Sequence, residues 1–170
     1  DVYKRQPFLH EKFAYVNIKK SNYKIGIGLV HEAMWAGGTP SLGDFPSTLK
    51  DFLKVLISAD GPRAASDPHA NALGNHLGIW DFYFEKFNHE KKIKLYHQHL
   101  FEDSSGLRFA NRYDGLWGFE LVDKMKKSNF LIEYLVTTNQ YFDPPYVNEE
   151  YYHNYQYKDG WNYKGYTLGN

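Results

Sequence analysis

The chain has 170 residues, with 20 basic and 20 acidic side chains and no cysteine. This length is enough for one domain with a hydrophobic core. The balanced charge, without a basic cluster interleaved with aromatics, disfavours nucleic acid as a partner, and the lack of cysteine excludes a disulfide framework and a thiolate metal site. A mean hydropathy of −0.63 is usual for soluble proteins. It does not exclude a transmembrane β-barrel, because only half of the residues in each barrel strand face lipid.

Alternating residues predict a hairpin near the start of the chain. Residues 13–18 and 23–31 both read as strands around a short turn at residues 20–22. One face of the second strand is apolar, whereas the other carries Gly26 and Gly28. Because glycine has no Cβ, we expect a neighbouring group to lie close to that second face.

The long connection over residues 32–71 contains the one segment with a persuasive helical pattern. Pro46 and Ser47 open it, and residues 58–62 break it. Its apolar residues recur at helical spacing and are Leu49, Phe52, Leu53 and Leu56. We expect this whole stripe to pack on protein.

Four more segments continue the alternating pattern, over residues 74–87, 93–101, 116–123 and 130–138, and a last strand is predicted from Trp161. We expect one set of side chains on the convex, lipid-facing side of the sheet: Trp80, Phe82, Phe84, Trp117, Phe119, Phe130, Ile132 and Tyr134. The residues expected on the concave side are Asp81, Glu85, Glu120 and Glu133.

The connections between these strands alternate between short turns and long loops. The turns at residues 20–22, 88–91 and 124–128 are expected at one end of the sheet, and the long loops at the other. The pattern predicts an all-β fold, a fragment of an antiparallel transmembrane β-barrel of about seven strands with one short helix in a long loop. An outer-membrane porin or transporter is one alternative function. A soluble β-sandwich, either a carbohydrate-binding protein or a glycosidase, is another, and it requires the aromatic faces to meet in a core.

Both ends of the chain read as interrupted. Residues 1–6, DVYKRQ, match one translation of a common transposon-derived sequencing adapter, so we expect them to be an artefact outside the fold. The sequence ends while the predicted last strand is still running. We therefore expect residues 7–170 to form a partial outer-membrane β-barrel domain.

Five blocks carry a resemblance to a known family: GNHLGIWDFYFE (74–85), LYHQHLFEDSSGLRF (95–109), DGLWGFEL (114–121), IEYLVTTNQ (132–140) and YYHNYQYKDGWNYKGYTLGN (151–170). In order and spacing they resemble the capsule assembly Wzi family of Gram-negative outer-membrane proteins. The resemblance implies a barrel longer than this chain, located in the outer membrane, that binds capsular polysaccharide and holds it at the cell surface. It implies lipid and polysaccharide as partners, and no catalysis.

The loop over residues 101–115 combines acidic, amide and guanidinium groups with aromatic side chains. Sugar hydroxyls are held by such polar groups, and the C–H faces of sugar rings stack on aromatic rings. A second loop, over residues 141–157, is rich in tyrosine, which makes it either a sugar platform or a cap over the barrel mouth. The polysaccharide-binding candidates in and after these loops are Glu102, Asp103, Arg108, Arg112, Asp114, Tyr151, Tyr155 and Trp161.

Other chemistry has weaker support in the sequence. The carboxylates of Glu102, Asp103 and Asp114 could serve a glycosidase, but turn formation accounts for them, so no catalytic residue is predicted. His97 and His99 project from one face of a strand and invite a metal ion. Their neighbours on that face are apolar, which favours packing histidines, and no metal or other cofactor is predicted.

Overall fold

A computed structural model describes residues 4–61, 72–102, 104–138, 151–152, 154, 156–157, 159–163 and 166–167. The elements in chain order are β1 (Phe8–Lys19), β2 (Tyr23–Trp35), β3 (Gly38–Thr39), β4 (Gly43–Asp44), α1 (Leu49–Leu56), β5 (Asn75–Phe87), β6 (Lys91–Phe101), α2 (Ser104–Leu107), β7 (Gly115–Asp123), β8 (Ser128–Val136), β9 (Asn162–Tyr163) and β10 (Tyr166–Thr167). None of the helices that the structure describes is long and apolar enough to span a membrane.

Six strands form one antiparallel sheet in the order β1-β2-β5-β6-β7-β8. The prediction of a mostly β, antiparallel fold with a short helix in a long loop is confirmed. Within the residues that the structure describes, the sheet is open and not closed into a barrel, with β1 and β8 at its edges. The strand predicted from Trp161 appears as the two-residue β9, which among the described residues pairs with β10 and not with the six-stranded sheet. The Trp161 side chain that precedes β9 is instead buried in the core.

The short turns lie together at one end of the sheet, as predicted. The amide of Phe87 donates to the carbonyl of Asn22, which joins the first turn to the end of β5. The amide of Lys124 donates to the carbonyl of Glu90, which joins the second turn to the third. We call this the turn end, and the opposite end, which carries the connections over residues 36–74 and 102–114, the loop end.

The strand register separates an apolar face from a polar face. Residues that pair across antiparallel strands point to the same side of a sheet, and one such row runs Val16, Ile27, Phe82, His97, Trp117 and Tyr134. The eight side chains predicted to face lipid all share this apolar face, and the four predicted carboxylates share the polar face. Histidines aside, the charged strand residues of the apolar face lie towards its two ends: Lys12, Lys86, Lys91 and Asp123.

Much of the apolar face is exposed. Phe84, Trp117, Phe130, Ile132 and Tyr134 are all exposed large side chains, so within the described residues no second sheet covers this face in the way a β-sandwich requires. Monomeric soluble proteins rarely leave so large an apolar surface uncovered. That this side is the convex one stays a prediction.

The buried core lies at the loop end, in one cluster on each side of the sheet. On the polar face, Met34 packs with Phe45, Tyr157 and Trp161. On the apolar face, Ala33 packs with Val55 of α1 and with Leu73. The loop segments therefore cover both faces at this end, and the strands extend uncovered towards the turn end.

Helix α1 begins after Thr48, which forms a reciprocal capping box with Asp51. Val55 is fully buried, and the ring of Phe52 lies 5.3 Å from that of His10 and 5.4 Å from that of Trp35. The prediction that the whole apolar stripe packs on protein is wrong, because Leu49 and Leu53 are exposed. So short a helix touches the sheet with one side only, and these two leucines lie on the other.

Candidate functional site

The 101–115 loop folds back over the loop end of the apolar face. The ring of Phe109 lies 6.0 Å from those of Trp80 and Phe82 and 4.7 Å from that of His99. The loop re-enters the sheet at Gly115, where φ is +135° and a Cβ would lie 2.1 Å from the carbonyl oxygen of Gln98. Only glycine fits that position without strain.

The two histidines of β6 pack inside this fold. His99 is fully buried, with Nε2 3.0 Å from the carbonyl oxygen of Gly106 and Nδ1 3.2 Å from that of Asp114. His99 therefore contacts the loop at two points, at Gly106 of α2 and at Asp114 near the end of the loop. The ring of His97 stacks on that of Trp117 at 3.7 Å. Within the part of the chain that the structure describes, no group of three or more acidic or histidine side chains could hold a metal ion.

Three predicted site residues meet in a buried network that joins two loops. The hydroxyl of Tyr151 donates to the carboxylate of Asp114 at 2.8 Å, and Nδ2 of Asn111 donates to the same hydroxyl oxygen and, at 3.0 Å, to the carbonyl of Leu100. The indole of Trp161 donates to the carbonyl of Tyr151 at 3.2 Å. Because Asp114, Asn111 and Trp161 are almost completely buried, this network can hold the loops together but presents little surface to a polymer.

The other predicted site residues lie nearer the surface or outside the described residues. Arg108 and Arg112 are exposed, and Glu102 is partly buried. Asp103 and Tyr155 lie outside the described residues. The structure thus brings Asp114, Tyr151 and Trp161 together and leaves both arginines at the surface of the 101–115 loop.

Tyr113 is a surface residue of this loop that the sequence prediction missed. Its ring is exposed and lies 5.1 Å below the guanidinium of Arg112, which gives a cation–π pair. The indole of Trp117 donates to its carbonyl at 3.2 Å. The signal for it was its place beside Arg112 in the run NRYDG. Together the ring and the guanidinium offer the stacking surface and hydrogen-bond donors that sugars use.

A second polar surface, also missed, lies on the polar face towards the turn end. The rings of Tyr83 and Tyr96 lie against Gly26 and Gly118, where an added Cβ would come within 2.2 and 2.0 Å of them. These contacts explain Gly26 and Gly118, because only a residue without a Cβ leaves room for a ring on the sheet. The expectation that a group lies close to Gly26 is confirmed, and that group is Tyr83.

Charged groups surround these two tyrosines. The Lys94 amine lies 5.2 Å from the ring centre of Tyr83 and 4.9 Å from that of Tyr96. The hydroxyl of Tyr96 donates to the carboxylate of Glu133, and Lys92 forms an ion pair of 2.8 Å with Glu120. Alternating cations and carboxylates make this face well suited to contact with water and unsuited to contact with lipid.

Comparison with known proteins finds a match to a family model. The family model for "Capsule assembly protein Wzi" matches residues 1–170. No curated protein matches the chain, and no solved structure matches it. The matched range includes all five blocks that carry the sequence resemblance.

Proposed function

Because the chain belongs to the capsule assembly protein Wzi family, we propose that it forms part of a non-enzymatic outer-membrane barrel that binds capsular polysaccharide and anchors it at the cell surface. The observation that carries the proposal is the family match over all 170 residues. The family's description names assembly and no reaction, which supports a role without catalysis.

The two faces of the sheet support a place in the outer membrane. A barrel strand alternates between side chains that contact lipid and side chains that contact a wet lumen. The middle of the apolar face carries exposed rings and aliphatic groups, among them Phe84 and Ile132, whereas the polar face carries the ion pair of Lys92 with Glu120. In a full barrel the first face would contact lipid and the second would contact water.

Polysaccharide contact is proposed at the surface of the 101–115 loop. Arg108, Arg112 and Tyr113 are exposed there. Glu102, Asp103 and Tyr155 remain proposed contacts. Asp114, Tyr151 and Trp161 have a different proposed role: their hydrogen bonds hold the 101–115 loop against the segment that carries Tyr151. Single sugar contacts are weak, so retention of a polymer would depend on many repeats that engage several such sites.

The test replaces Arg108 and Arg112 together with alanine in the full-length protein of an encapsulated strain. Both side chains are exposed, so the amount of folded protein in the membrane should not change. We expect part of the capsule to be released into the medium, measured as cell-bound against free polysaccharide. Loss should be partial because other contacts remain.

The matched control replaces Lys20 and Lys126, two exposed lysines of the turn end, and removes the same charge. It should retain capsule at the parental level. Two results would contradict the proposed site: full retention by the double arginine variant, or an equal loss in the lysine control, which would show an effect of net charge alone.

A further inference from the structure

Helix α1 has an apolar side that nothing in the described residues covers. Leu49, Leu53 and Ile57 are 76%, 54% and 68% exposed, and their spacing of four residues places them on one side of the helix. The opposite side carries Val55, which is fully buried. A helix that only needed to pack on the sheet would carry polar residues on its outer side.

The helix lies against the apolar face, just beyond its exposed part. Phe52 contacts His10 and Trp35 of that face, and the hydroxyl of Ser58 lies 3.0 Å from Nε2 of His31. His31 follows Leu29 by two residues on the same side of β2, which is about 7 Å along the strand. The uncovered side of the helix thus continues the exposed apolar surface of the sheet towards the loop end.

Basic side chains flank the uncovered leucines. Lys50 is exposed, and Lys54, one turn later, reaches the carbonyl of Asp60 at 3.1 Å. The one carboxylate within the helix, that of Asp51, is engaged by the amide and hydroxyl of Thr48. A short helix with an apolar side bordered by lysines is typical of helices that lie in a membrane interface beside anionic lipid.

Outer-membrane barrels have short periplasmic turns and longer extracellular loops, so the loop end would lie at the outer leaflet. We propose that α1 is an interfacial helix of that leaflet. Its Leu49, Leu53 and Ile57 side chains enter the boundary between headgroups and acyl chains, and Lys50 and Lys54 pair with lipid phosphate groups. The inference rests on the proposed membrane function, because it needs the apolar face of the sheet to contact lipid. The inference adds a lipid contact outside the strands. The occupant of the uncovered helix side is a phosphorylated lipid and not a protein.

The chain has no cysteine, so single cysteines can carry an environment-sensitive fluorophore. The positions are Leu53→Cys on the helix, Ile132→Cys on the apolar face and Lys126→Cys at the turn end. The full-length protein is reconstituted in vesicles of phosphatidylethanolamine and lipid A that contain brominated lipid. We expect brominated lipid to quench the probes at 53 and 132, and iodide in the buffer to quench the probe at 53 several-fold less than the probe at 126.

The probe at 132 separates the two possible failures. If it is quenched by lipid while the probe at 53 stays open to iodide, or is shielded from both quenchers by protein, the interfacial helix is overturned and the proposed function stands. If the probe at 132 is not quenched by lipid, the proposed membrane function fails.

The phosphate contact has its own variant. Lys50→Gln with Lys54→Gln, in the Leu53→Cys background, should lose part of the lipid quenching in lipid A vesicles and little in vesicles of zwitterionic lipid alone. The double change leaves the apolar residues and the Thr48 cap intact. Equal quenching of the variant and the parent in lipid A would overturn the pairing of these lysines with phosphate.

Discussion

Replacing Gly118 with alanine tests the packing of the polar face. An added Cβ would lie 2.0 to 2.3 Å from three atoms of the Tyr96 ring, whereas close packing needs 3.4 Å or more. The ring would therefore have to lift by more than 1 Å. Overpacking of this size costs about 1–3 kcal/mol, and lifting the ring also weakens its hydrogen bond to Glu133 and its contact with Lys94. We expect a loss of about 2 kcal/mol in the free energy of unfolding.

Without the Tyr96 ring, Gly118→Ala should raise the free energy of unfolding instead of lowering it. In a Tyr96→Ala background the three nearest atoms are gone, and alanine is favoured over glycine in a strand by roughly 0.5 kcal/mol or more. Urea unfolding of the reconstituted protein, followed by tryptophan fluorescence, gives all four free energies of the double-mutant cycle. An equal loss from Gly118→Ala in both backgrounds would refute the contact between ring and glycine.

Two further predictions concern the loop end. Thr48→Ala should destabilise α1 by about 1 kcal/mol, seen as faster hydrogen exchange of the helix amides, with exchange unchanged in the six-stranded sheet. Hydrogen bonds from Thr48 lower the pKa of Asp51. The stability that the Asp51 carboxylate gives to α1 should therefore be fully present above the ordinary pKa of an aspartate and be lost as pH falls through the lowered pKa. A helix stability that does not change with pH would contradict this prediction. Tyr151→Phe should lower the free energy of unfolding by about 1–3 kcal/mol because it removes a hydroxyl bonded to Asn111 and Asp114. The variant should also be cleaved faster by proteases within the 101–115 loop. Unchanged cleavage would show that the hydrogen-bond network does not hold this loop.

Alternation is a local property, and it locates all six strands of the sheet, although β1 begins five residues before and β2 ends four residues after the predicted bounds. The segment 93–101 differs from β6 by two residues at one end, and the predicted helix from Ser47 contains α1 and its Thr48 cap. The short turns fix three of the five strand pairs, β1 with β2, β5 with β6 and β7 with β8, and the period of two then fixes which side chains of each pair share a face. These features need no knowledge of distant residues.

Contacts between distant segments could not be predicted in the same way. Asp114 lies in a loop dense with charge and reads as a binding group, but its hydrogen-bond partner Tyr151 is 37 residues further along the chain. Trp161 reads as the first residue of a strand, yet its indole is buried in the core with Met34. The outer side of α1 depends on how the helix docks on β1 and β2, so its apolar residues could not be divided into covered and uncovered ones.

The most direct test of the central claim compares two neighbouring residues of β8. Leu131 and Ile132 are 52% and 54% exposed and similar in size and polarity, but they lie on opposite faces of the sheet. Each is replaced by a labelled cysteine in the reconstituted full-length protein, and quenching by brominated lipid and by aqueous iodide is measured. We expect lipid to quench the probe at 132 and iodide to quench the probe at 131. Equal quenching of both probes by iodide, or protection of the probe at 132 from both quenchers, would contradict a lipid-facing apolar face.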